Sequence, residues 1–193
     1  HKERDLNLSD GYFNWACRKA NPRGRFIWAM GNDIRFRSRG WDQAMVGAME
    51  EYLADKPDRI ALGFARDAHQ TDKGDMGFEW GCFPLLTKEA VAALGWFFPK
   101  EFITWEADVV MAKMFWELGR MVLVDTVVVD QISYHAYPEV PRDEVAMSMR
   151  ERHRIPGQAS LRNWYKREQM PRDIQRLREV MARGRVETAE PVQ

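Results

Sequence analysis

Phe26-Ile27-Trp28-Ala29-Met30 is an unbroken apolar run of strand length that stops at Gly31-Asn32-Asp33. Such a run predicts a strand buried on both faces, as in a parallel sheet beneath helices. A carboxylate at the carboxyl end of that strand lies where open α/β sheets bind ligands. Asn32 and Asp33 also suit a plain polar turn, because both residue types favour turns.

The flanking pattern alternates between helix and strand periods. Tyr12, Phe13, Ala16 and Ala20 recur at helical spacing after Ser9, a good N-cap residue, and Asn21-Pro22 ends that helix. Gly40-Trp41-Asp42 opens a second helix with Met45, Met49 and Leu53 at four-residue steps, terminated by Lys56-Pro57. Arg59 to Ala65 reads as a strand, and residues 66–77 as an exposed polar loop carrying His69. Trp80 to Leu86 reads as a strand that Pro84 confines to an edge or an interruption. Thr87 caps a short helix that Gly95 closes. Met111, Phe115 and Leu118 form one stripe, with Val110 and Met114 a second, on a helix that begins with Thr104-Trp105-Glu106-Ala107-Asp108, is buried on much of its surface and stops at Gly119. Met121 to Val129 is the last strand. Helices are predicted over 160–169 and 171–183, the latter with Pro171 at its first position.

This order predicts an α/β layer fold with a mainly parallel sheet and a helical C-terminal appendage. Residues 1–140 form the core, and 141–193 a basic extension. Between Arg142 and Arg185 there are twelve Lys or Arg against six Asp or Glu. Those basic helices could contact a membrane surface, a protein or an anionic acceptor, although a solvated helix face is the preferred reading.

Composition narrows the class. The formal net charge of the 193 residues is zero, which argues against a nucleic-acid partner. Cys17 and Cys82 lack metal-ligand spacing; one disulfide would be allowed, but two buried free thiols in a reducing cytoplasm is the preferred reading. No apolar run approaches the length of a membrane span. The chain begins with His1, and its first periodic element follows within a few residues, so it reads as a fragment.

Taken in order, Asn14, Asn32-Asp33, Gly40-Trp41-Asp42, Phe83-Pro84, Leu94-Gly95, Glu106 to Asp108 and His135 resemble the motifs of family 2 glycosyltransferases and their GT-A-fold relatives. The resemblance covers roughly residues 8 to 137. It implies a GT-A-like, Rossmann-like core that moves a sugar from a nucleotide-sugar donor to the hydroxyl of a glycan or other acceptor. It also implies a manganese or magnesium ion that neutralises the departing diphosphate. Asp33 and His135 would be metal ligands, and Asn14, Asn32, Asp33 and Gly81 would line the donor site. Asp108, with Glu106 in reserve, would be the general base of an inverting displacement. Gly77 would lie beside the donor sugar, and Trp80 and Trp96 would stack on the acceptor ring. Both acids lie in a first helical turn, whose dipole favours the ionised form.

The chain departs from the family pattern in two places. Gly31 and Asn32 precede Asp33 where a further acid is expected, and the family's first strand would lie before residue 1. A non-catalytic carbohydrate- or partner-binding module on the same fold is therefore the alternative reading.

Overall fold

The computed structural model describes residues 8–21, 23–31, 33–69, 81, 83–103, 106–132, 137, 139, 151 and 154–184. A π-helical turn, Leu8–Asn14, runs into α1 (Trp15–Lys19). β1 (Phe26–Trp28), β2 (Ile34–Phe36), α2 (Trp41–Tyr52), β3 (Leu62–Asp67), β4 (Pro84–Thr87) and α3 (Lys88–Leu94) follow. α4 (Ala107–Glu117) and β5 (Met121–Gln131) complete the core, and α5 (Gln158–Trp164) continues through a π-helical segment, Tyr165–Gln169, into α6 (Met170–Arg183).

The five strands form one sheet in the order β1-β4-β3-β5-β2. Among the described residues only β3 and β5 are parallel; β1–β4, β3–β4 and β2–β5 are antiparallel. The fold is thus α/β with a mixed sheet, and the expectation of a mainly parallel one is corrected. A parallel pair needs a long crossover, and here β4, α3 and α4 supply it between β3 and β5. The apolar run at Phe26 is an antiparallel edge strand, with its three residues only partly buried. Pro84, conversely, opens an interior strand: its ring lies at the strand's first residue, and its carbonyl accepts from Ala29 N at 3.1 Å.

β1 and β2 lie on opposite edges, yet only residues 29–33 join them. Four strand spacings of a flat sheet are ~19 Å, about the reach of five extended residues. The sheet is curled instead, and the rings of Trp28 and Phe36 meet with centroids 5.5 Å apart. Trp41, at the start of α2, stacks on Phe36 at 3.7 Å.

Two apolar layers enclose the sheet. Met45 and Met49 of α2 pack with Ala61, Ala65, Val124, Val127 and Val129 on one face. Gly63 makes that approach possible, since a Cβ there would lie 2.6 Å from Met49 Sδ. Leu62 and Phe64 join α3 and α4 on the other face, and Tyr165, Met170, Ile174 and Leu177 belong to the same cluster. The C-terminal helices therefore share the core.

Local signals explain the short helices. Thr87 Oγ1 accepts from Ala90 N at 3.2 Å to cap α3, and Gly95 closes it at φ 83°. Ser9, expected as an N-cap, lies inside its helical turn and donates its hydroxyl to the Phe102 carbonyl.

Candidate functional site

β3 and β5 run side by side and end at Asp67 and Gln131. α4 precedes β5 through a tight turn at Gly119, so the helix runs back along the sheet. Its 11 residues rise ~16 Å, close to the length of β3, which brings its N-terminus to the carboxyl end of the parallel pair. β2 enters the sheet at the same end, with Ile34 opposite Gln131. Chain order and helix length thus direct Glu106 and Asp108 toward the end of the sheet at which Asp33 precedes β2.

Asp33 is held tightly. Its carbonyl accepts from Ile132 N at 2.6 Å, and its Oδ2 accepts from Gln131 Nε2 at 3.1 Å. Its other carboxylate oxygen folds over Gly31, in space a side chain at residue 31 would occupy. The glycine before Asp33 therefore has a steric reason. Asn32 and His135, the other expected donor-site and metal residues, lie outside the described residues, as do Gly77 and Trp80. Among the described residues no group of three or more His, Cys, Asp or Glu is arranged to hold a metal ion. Asp33 alone of the expected ligands is described.

Asp108 lies in the first turn of α4, partly buried, with Oδ1 accepting from Val109 N at 2.9 Å. Burial pushes its carboxyl up from the usual 3.8 to about 6, against the backbone hydrogen bonds that favour the ionised form; Glu106 adds a smaller upward push. The expectation that the helix terminus would dominate is therefore reversed: desolvation wins. The group still ionises below neutral pH, where a general base is most effective.

Glu106 is the residue before α4 and adopts φ 74°, unusual for a non-glycine residue. Lys166 Nζ donates to its Oε2 at 2.6 Å, and Arg162 Nε lies 3.7 Å from Oε1. This carboxylate ties α4 to the C-terminal helices.

Asn14 is buried, and its Oδ1 accepts from Phe97 N at 2.7 Å and Phe98 N at 2.9 Å. Its Nδ2 donates to the Phe98 carbonyl at 2.8 Å. These bonds clip the first helix to the corner after α3. Gly81 is packed against β3, where a Cβ would lie 2.5 Å from the Ala65 carbonyl. Both residues have a structural reason for their identity, and neither meets Asp33 in these contacts.

A second constellation escaped the sequence reading. Asp130 of β5 is fully buried and faces Arg35 across the β2–β5 pair. Its Oδ2 accepts from Arg35 Nη2 at 2.7 Å and from Arg37 Nη2 and Nε at 2.7 and 3.0 Å. His69 Nε2 lies 2.7 Å from Oδ1, and the Tyr137 hydroxyl lies 2.8 and 2.7 Å from the two oxygens. Burial raises this carboxyl, but the hydrogen bonds from Arg35, Tyr137, Arg37 and His69 outweigh it and hold the group well below the usual range. The Ile34-Arg35-Phe36-Arg37 alternation is the sequence signal for β2, and it places the two arginines on one face. Nothing in the sequence marks Asp130 as their partner. His69, expected to be exposed, is exposed and also reaches this cluster.

A shallow cleft of about 270 Å³ is lined by Tyr12, Phe13, Cys17, Ile27, Trp28 and Phe97 among others. Cys17 is a free thiol, and burial pushes it above its usual range. Trp96 is partly buried against the core. No helix among the described residues is long and apolar enough to cross a membrane. Comparison with protein-family models, curated proteins and solved structures finds no match to the chain.

Proposed function

We propose that the chain is a nucleotide-sugar-dependent glycosyltransferase whose reaction takes place at the carboxyl edge of β3 and β5. The observation that supports this reading is a pair of carboxylates held in different ways. Asp33 is anchored at the start of β2, while Asp108 sits at the tip of α4 with its carboxyl raised to about 6. Asp108 removes the proton from an acceptor hydroxyl as its oxygen bonds to the anomeric carbon. The bond from that carbon to the diphosphate oxygen breaks on the opposite face, and the nucleoside diphosphate leaves with the electron pair. The configuration inverts, and the proton rests on Asp108 until solvent takes it. A divalent ion, manganese or magnesium, would supply charge neutralisation for the leaving diphosphate, with Asp33 and His135 as its proposed ligands. The acceptor is a glycan or another hydroxyl compound.

The test is calorimetric titration of the chain with UDP, with and without manganese, repeated on Asp33→Ala. Metal-dependent binding that disappears in the variant is expected. Absence of binding to any nucleoside diphosphate overturns the reading for this chain. One observation favours the non-catalytic alternative: Asp33 is already bonded to Gln131, and Glu106 to Lys166. Carbohydrate binding without turnover of any sugar nucleotide would select that module.

A further inference from the structure

We propose that Arg35 and Arg37, fixed in place by Asp130, form a phosphate-binding site on the exposed face of β2. The proposal does not rest on the transferase reading.

One buried carboxylate is neutralised by a single cation. Asp130 has two arginines, a histidine and a tyrosine hydroxyl around it. The acid is fully enclosed, whereas the arginine side chains keep 58% and 47% of their surface exposed. Asp130 therefore acts as an anchor beneath two cations whose outer sides face water. A guanidinium carries five N–H donors. Among the described residues Arg35 engages only Nη2, with Asp130 and Tyr137, which leaves Nε and Nη1 for another acceptor. Arg37 uses Nε and Nη2 and retains Nη1.

The surroundings raise the positive potential. Arg37 N, just past β2, donates to the Val128 carbonyl at 2.9 Å, and the exposed Arg66 of β3 pairs with Val128 from the other side. Arg35, Arg37 and Arg66 set three cations against the Asp130 carboxylate. Asp33 lies two residues before Arg35 with its carboxylate turned to Gln131. Asp67, the nearest other acid on β3, is buried and accepts from His69 N.

Two guanidiniums held side by side match the tetrahedral oxygens of a phosphoryl group, and bidentate recognition of this kind is what arginine does better than lysine. Prior fixation by Asp130 lowers the ordering cost that flexible arginines would otherwise incur on binding. The place in the fold agrees, because the patch lies at the carboxyl end of the parallel strands.

The test uses the full chain in EDTA, so that no metal-dependent site contributes. Inorganic phosphate and pyrophosphate are titrated by calorimetry, with succinate as a carboxylate control. Saturable binding is expected for the phosphoryl anions, weakened about tenfold in the Arg35→Lys/Arg37→Lys variant, which keeps the charge and loses the forks. Arg39→Lys should leave it unchanged. A measurement without variants runs in parallel: phenylglyoxal modification of wild-type chain, mapped by mass spectrometry. Pyrophosphate should protect Arg35 and Arg37 and not Arg39. Absence of saturable binding, equal binding of succinate, unchanged affinity in the double variant or uniform protection of all three arginines would each overturn the proposal. Asp33 is intact throughout, so failure here leaves the manganese-dependent UDP test standing, and the converse holds.

Discussion

Replacing Asp108 with asparagine should stabilise the fold at pH 8 while removing the proposed base. Burial raises the folded carboxyl from the usual 3.8 to about 6. In the unfolded chain the group ionises freely near pH 4, whereas in the folded chain ionisation costs extra free energy. The contribution of Asp108 to stability is therefore greatest below pH 4 and is lost as pH rises through about 6. Roughly two pH units at ~1.4 kcal/mol each bound this loss near 3 kcal/mol. The side chain retains some solvent, so about 2 kcal/mol is a fair expectation after discounting for screening. Asparagine keeps the Oδ1 acceptor for Val109 N and removes the charge. For a chain of this size, about 2 kcal/mol corresponds to roughly 4–8 °C in Tm.

The assay is thermal unfolding of wild type and Asp108→Asn at pH 8 and pH 4. The variant should melt higher at pH 8, and the difference should shrink toward zero at pH 4, where the folded wild type is already protonated. Equal stabilisation at both pH values, or none at pH 8, refutes the account of burial. If Asp108 is also the base, sugar transfer by wild type falls as pH drops through about 6, and the variant that gains stability loses transfer.

Asn14→Ala should cost about 3 kcal/mol in urea unfolding, because it leaves Phe97 N, Phe98 N and the Phe98 carbonyl without their buried partner. Asp130→Asn should lower the urea midpoint at pH 6 and have less effect at pH 3. The depressed native carboxyl gives stability that is present above about pH 4 and lost as pH falls below it. Gly31→Ala should displace the Asp33 carboxylate that folds over residue 31, weakening manganese-dependent UDP binding with little change in the far-ultraviolet circular dichroism.

Elements with both an end signal and a period were legible in the sequence. α3 has Thr87 before it and Gly95 after it, and the structure uses both as caps. The methionines of α2 at four-residue steps do reach the core. Strand pairing was not legible. Phe26 to Met30 is as apolar as a central strand, but it lies at a curled edge where Trp28 packs against Phe36 and Trp41. β2 is only three residues long and was hidden between the Gly31-Asn32-Asp33 turn and Gly40. Without β2, the register that sets Arg35 opposite Asp130 could not be inferred, and the arginine cluster stayed invisible. The acids of the α4 terminus were legible as residues, whereas the sign of the environment at Asp108 was not. That sign depends on how deeply the first turn is covered, which is a tertiary property.

The basic C-terminal region is tied to the candidate site more closely than an appendage would be. Tyr165, Met170, Ile174 and Leu177 enter the same apolar cluster as Phe64 and Phe115, so removing these helices would open the core. The connection continues in polar contacts. Glu106 holds a backbone conformation that a non-glycine residue adopts only when its surroundings enforce it. Lys166 and Arg162 supply that enforcement from the C-terminal helices. The tip of α4, and Asp108 two residues on, is therefore positioned from both sides: by the sheet below and by the cations above. A surface formed this way ties the geometry of the acidic edge to the docking of the basic helices. The positive charges of this region are then in part internal counter-ions, and only the remainder is free to meet an anionic partner.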